Sequence, residues 1–138
     1  MTAGTPDLGG AAAYLTRPEV ARAMRLHRWQ VHRAVWEARL PALEISRRIV
    51  RVEARAIVPG APPPIPDAMP SHLTLAWLSQ HWRVTEKQIR RLMRAGHLPC
   101  WRQPLWRHSR AAAPKWRWVM RREDFVAFVQ AHTTRTES

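Results

Sequence analysis

The stretch LTRPEVARAMRLHRWQVHRAVWEARLPA, Leu15 to Ala42, is matched without a gap 58 residues later by LTLAWLSQHWRVTEKQIRRLMRAGHLPC, Leu73 to Cys100. Seven of the 28 positions are identical: Leu15 and Leu73, Thr16 and Thr74, Arg25 and Arg83, Gln30 and Gln88, Arg33 and Arg91, Leu40 and Leu98, Pro41 and Pro99. Apolar positions coincide as well, Val20 with Leu78, Leu26 with Val84, Val31 with Ile89 and Val35 with Met93. Shared identities in a biased composition are weak evidence, but shared apolar positions at helical spacing mark an internal repeat.

Each repeat reads as Leu-Thr, a short helix, a turn, a second helix, then Leu-Pro opening an extended segment. Thr16 is placed to cap the first helix, with Pro18 in its first turn and Glu19 at capping-box spacing, and that helix runs to about Met24. In the second repeat Thr74 caps, and Leu75, Leu78 and Trp82 form the buried stripe. The second helix is expected over Arg28–Ala38, and over Glu86–Ala95 with Thr85 as cap and Gly96 as stop. Its outward side holds Gln30, His32 and Arg33 in one copy and Lys87, Gln88, Arg90, Arg91 and Arg94 in the other.

Beyond Leu-Pro, ALEISRRIVRVEARAI predicts a two-stranded hairpin with a basic tip. In the second copy WRQPLWRHSRAAAP adds about ten residues to the corresponding loop, which predicts an enlarged wing. Basic residues then alternate with Trp116 and Trp118 before a closing helix over Arg121–Ala131. Between the copies, residues 58–71 carry six of the twelve prolines and no Lys or Arg, which reads as a stiff connector. The expected organisation is a flexible tail (1–13), a first domain (14–57), a Pro-rich linker (58–71), a second domain (72–132) and a flexible tail (133–138).

The net charge of +13 divides as +5, −1 and +9 over the first half, connector and second half, and so strong an excess calls for a polyanionic partner. Lys87 and Lys115 are the only lysines among 23 basic residues. Arginine's planar fork suits phosphates and guanine edges, although a GC-rich genome would also favour it. One cysteine excludes an internal disulfide and a multi-cysteine zinc site and fits a reducing compartment. MTAGTPDLGGAAAYL has neither the basic start nor the long apolar stretch of a secretory leader. No window approaches the length of a membrane span. A cytoplasmic, nucleoid-associated location without membrane partners is therefore expected.

The elements LTRPEVARAM with VHRAVWEARLPA, and LTLAWLSQHW with QIRRLMRAGHLPC and RREDFVAF, resemble the excisionase-type, MerR-like winged helix-turn-helix family in two tandem copies. The resemblance covers about 43 residues of each half. Gly96-His97-Leu98-Pro99 and Arg122-Glu123-Asp124-Phe125 fit its pattern closely. The first copy departs from it, with Ala38 and Arg39 where a small helix-stop residue is expected and only EARAI where a closing helix is expected. The implied fold is mainly α with small β-hairpin wings, as two tandem winged helix-turn-helix domains.

The resemblance implies a second helix in the DNA major groove and a wing along the backbone or in the adjoining minor groove. The matching helix positions are Arg28, Gln30, His32 and Arg33, then Lys87, Gln88, Arg90, Arg91 and Arg94. Gln can pair with adenine edges and Arg with guanine. The wing positions Arg47, Arg48 and Arg51, then Arg107, Arg110, Lys115 and Arg117, would chiefly hold phosphates. A polyproline connector of fourteen residues reaches about 43 Å at roughly 3.1 Å per residue. That would set the domains about one DNA turn apart and favour direct half-sites.

Trp77 and Trp82 read as core, Trp29 and Trp36 stay open, and Trp101, Trp106, Trp116 and Trp118 are divided between hairpin packing and contact with a ligand. His27 with His32 and His72 with His81 lack metal-ligand spacing. Cys100 reads as a small buried side chain, while Glu123 and Asp124 read as helix-dipole partners. No catalytic constellation and no cofactor or metal motif emerges, so no enzymatic activity is expected. The resemblance implies a sequence-specific double-stranded-DNA-binding excisionase, or recombination directionality factor, of a mobile element. Such a factor would bend DNA, self-associate cooperatively along it and work with an integrase or recombinase. The alternatives are a transcriptional regulator in the same element, meeting the transcription machinery, and a protein-docking adaptor using the Trp-rich second wing.

Overall fold

The computed structural model describes residues 12–104 and 116–134. It combines helices with two small antiparallel sheets. The first half contains β1 (Tyr14–Leu15), α1 (Arg17–Met24), α2 (Arg28–Trp36), β2 (Ala42–Ser46), β3 (Ile49–Glu53) and a 3-10 turn at Ala54–Ala56. The second contains β4 (His72–Thr74), α3 (Leu75–Trp82), α4 (Glu86–Arg94), β5 (Trp101–Pro104), β6 (Trp116–Arg121), α5 (Arg122–His132) and β7 (Thr133–Thr134). The strand, helix, helix, hairpin order recurs, and β1 pairs with β3 as β4 pairs with β6. The internal repeat is thus present in three dimensions.

Local chemistry sets the helix ends. Thr16 Oγ1 accepts from the Glu19 N–H at 3.3 Å, while Glu19 Oε1 accepts from the Thr16 N–H at 2.8 Å, closing the expected capping box. Thr74 and Thr85 cap α3 and α4 through the N–H groups of Trp77 and Gln88. At the two repeat-related exits from the second helix, Gly96 has φ +80° and Ala38 has φ +57°. Alanine occupies a left-handed position there that glycine takes without steric cost.

Strands contribute more than two hairpin wings, because β1, β4 and β7 extend the sheets. The first sheet has the order β1-β3-β2-β7 and the second β4-β6-β5. Thr133 and Thr134, expected in a flexible tail, pair with Leu43 and Ala42 of the first half. Ala13, also expected in a tail, is buried, and its carbonyl accepts from the Ala54 N–H.

The halves share a core. Tyr14, Leu43, Ile45 and Ile49 pack with Leu73, Leu78, Trp82, Ile89, Met93, Met120, Phe125 and Phe128. A second cluster, including Leu15, Val20, Val31, Ala42, Val50 and Val52, lies under α1 and α2. The first sheet is therefore covered on both faces, one by its own helices and the other by elements of the second half, α5 among them. This supplies the closing helix that EARAI does not form.

Polar contacts reinforce the junction. Arg83 pairs with Glu19 across the halves. Arg51 donates from Nε to the Trp82 carbonyl at 3.0 Å and from Nη2 to the Arg83 carbonyl at 2.8 Å. The edge of Tyr14 meets the His81 ring at 5.6 Å.

The connector does not hold two domains apart. Pro64 is buried, and its carbonyl accepts from His81 Nε2 at 2.7 Å. Ile65 and Met69 pack on the shared core. Proline rings carry apolar surface and no N–H needing a partner, so a stiff segment can lie along a protein as readily as extend from it. The expected separation of one DNA turn gives way to two fused halves.

Candidate nucleic-acid interface

Packing Ile89, Leu92 and Met93 of α4 on the core turns the opposite face of that helix outward. Lys87, Arg90, Arg91 and Arg94 then line one shallow concavity. None forms an ion pair among the described residues. Lys87 with Arg91 and Arg90 with Arg94 stand at i,i+4 spacing, while Lys87 with Arg90 and Arg91 with Arg94 stand at i,i+3. Each like-charge pair costs roughly 0.2–0.5 kcal/mol, so the four together cost about 1–2 kcal/mol in the absence of counter-charge. Glu86 at the positive end of the helix offsets only part of this. Gln88 is exposed, but its Oε1 accepts from the Thr85 N–H and hydroxyl, which commits part of its amide to the cap.

The turn between β2 and β3 brings Arg47 and Arg48, both exposed, to the same region. They line a groove of about 620 Å³ together with Gln88, Arg91 and His97. The hairpin of the first half therefore adjoins the second helix of the other half, forming one basic surface from residues 40 or more positions apart in sequence.

The equivalent helix α2 differs. Arg33 Nε is 3.0 Å from Glu37 Oε2, and Arg39 Nη2 is 2.9 Å from Glu37 Oε1. These arginines hold the Glu37 carboxyl below its usual pKa, with the Arg33 hydrogen bond the largest cause. His32 Nδ1 accepts from Arg17 Nη1 at 3.2 Å, and Gln30 Oε1 accepts from the His27 N–H at 2.7 Å. Among the four expected readers on α2, Arg28 alone has no internal partner in the described structure.

Arg51, expected to hold phosphate, instead serves the junction. All three guanidinium nitrogens donate to backbone carbonyls, and burial lowers its pKa, offset in part by Glu19. In the second hairpin, exposed Arg117 donates to Gln103 at 2.9 Å. Arg102 lies 5.6 Å from the Trp116 ring centroid and Arg121 5.1 Å from that of Trp101. Arg107, Arg110, Lys115 and Trp106 lie outside the described residues.

Trp82 is buried and stacks on Phe125 at 5.5 Å, with Trp77 edge-on to the same ring at 5.3 Å. Trp82 is a core residue, as the apolar stripe predicts, and Trp77 is half-buried against the same core. Trp29 and Trp36 are exposed. Sequence reasoning left them open, yet the repeat alignment places them opposite Lys87 and Arg94. Cys100 is partly buried, which raises its thiol pKa and suits packing better than nucleophilic chemistry.

Among the described residues, no cluster of three or more His, Cys, Asp or Glu is arranged for a metal ion, and no helix is long and apolar enough to cross a membrane. Comparison with protein-family models, curated proteins and solved structures finds no match.

Proposed function

We propose that the chain binds double-stranded DNA sequence-specifically as two fused winged helix-turn-helix units, with α4 in the major groove and Arg47 and Arg48 on the adjoining backbone. The unpaired cations of α4 carry this reading, since their mutual repulsion is relieved by phosphate. Arg90, Arg91 and the free amide hydrogens of Gln88 are suited to base edges. Lys87 and Arg94 are suited to phosphates. Because the halves are fused, the preferred site is one contiguous stretch rather than two half-sites one turn apart.

Within this reading the chain serves as an excision factor that shapes DNA for a recombinase, a role resting on the resemblance of its repeats to excisionase-type sequences. Selection from a random duplex library at physiological salt tests the binding. One enriched contiguous motif is expected, and failure to retain any duplex at 50 mM salt would refute it. Bending of the selected duplex and loss of integrase-driven excision on deletion test the recombination role, while promoter occupancy without bending would favour transcriptional control.

A further inference from the structure

The outward face of α2 has no role in the proposed DNA contact. Trp29 is 57% exposed and Trp36 82%, and Met24 at the end of α1 is 41% exposed. These are three of the four large hydrophobic residues exposed among the described residues. The two tryptophans stand seven positions apart, so they lie on one helix face about 10.5 Å apart along its axis. A groove of about 500 Å³ opens beside Trp29, walled by Met24, Leu26, Ala34 and Leu40.

The rim selects the occupant. The hollows on either side of Trp29 are lined by Arg17, Arg28, Arg33 and Arg39 against one acid, Glu37, which pairs with Arg33 and Arg39 together. A second copy presenting the same face would oppose this net positive rim with another. Duplex phosphate finds indole at Trp29 and Trp36, where the other repeat offers Lys87 and Arg94. An acidic partner satisfies the arginines, while an apolar stripe at helical spacing matches the two indoles and the groove. We propose that this face docks an acidic amphipathic helix of a partner protein, leaving α4 free for DNA.

The test uses the full chain labelled with 5-fluorotryptophan, its Trp29 and Trp36 resonances assigned from single Phe variants. The probe is a synthetic 16-residue peptide with leucine at i, i+3, i+4 and i+7 repeats and glutamate elsewhere. The control is the same composition scrambled to abolish the stripe. The peptide is expected to move the Trp29 and Trp36 resonances saturably and to bind about tenfold more tightly than the scrambled control. Trp29→Ala with Trp36→Ala should weaken it about tenfold while the thermal midpoint and duplex affinity stay unchanged.

Three results would overturn the proposal. Equal binding of the scrambled peptide would reduce the interaction to charge, and no movement of these resonances would remove the site. Movement on adding oligothymidine, or on concentrating the chain alone, would assign the face to single-stranded nucleic acid or to self-association.

Discussion

Helices α2 and α4 occupy the same place in two copies of one repeat and bury one corresponding pair, Val31 and Ile89, to which α2 adds Ala34 and α4 adds Met93. Their outward faces have diverged. Where α4 places Lys87, Arg90 and Arg94, α2 places Trp29, His32 and Trp36, and the one shared cation, Arg33 with Arg91, is paired to Glu37 only in α2. A repeat conserves the chemistry that folds it more stringently than the chemistry it presents. Two copies fused on a shared core can therefore divide tasks between their free faces.

The sharpest way to break this comparison is to discharge one face at a time. Replacing Lys87, Arg90, Arg91 and Arg94 together with alanine should cost about 10³-fold in affinity for the selected duplex. Replacing Arg28 and Arg33 should cost less than about threefold. Titrations followed by anisotropy distinguish these outcomes.

Arg51 should behave differently from both sets. Arg51→Ala should lower stability by about 2 kcal/mol through the carbonyls it leaves without donors, with the salt dependence of binding unchanged. Denaturant unfolding and a salt series check the two halves of that statement.

A smaller effect is expected where the repeats leave their second helices. Gly96→Ala should destabilise by about 1 kcal/mol because its φ is left-handed, while Ala38→Gly should stabilise by up to about 1 kcal/mol, measured by thermal unfolding.

The smallest is a pH slope set by one histidine. Burial lowers the His81 pKa below 6.5, only partly opposed by its bond to Pro64. The unfolded chain therefore binds this proton more readily. The stabilising contribution is present above pH 6.5 and falls as pH drops toward the lower folded value. His81→Gln should flatten that part of the stability curve between pH 7 and 5.

Much of this was legible locally. Thr16 with Glu19, Thr85 and Gly96 marked helix ends because caps act over three or four residues, and the face of α4 followed from its period. The shared core was not legible in the same way, since EARAI shows that a closing helix is missing without showing which element replaces it. One signal was available, because ALEI and IVRV are nearly continuous apolar runs, as in strands covered on both faces. Trp29 and Trp36 could have been read by asking what each repeat places opposite the other's cations. The role of Arg51 could not, because two of its three acceptors lie more than 30 positions away.

The most direct test of a DNA site made by α4 and the β2–β3 turn is the slope of log affinity against log salt on the selected duplex. Four phosphate-neutralising residues, Arg47, Arg48, Lys87 and Arg94, predict a slope of about −4. Lys87→Ala with Arg94→Ala, or Arg47→Ala with Arg48→Ala, should each reduce its magnitude by about 2, while Arg28→Ala with Arg33→Ala should leave it within about 0.5. An equal reduction from the α2 pair, or none from the turn pair, would contradict the account.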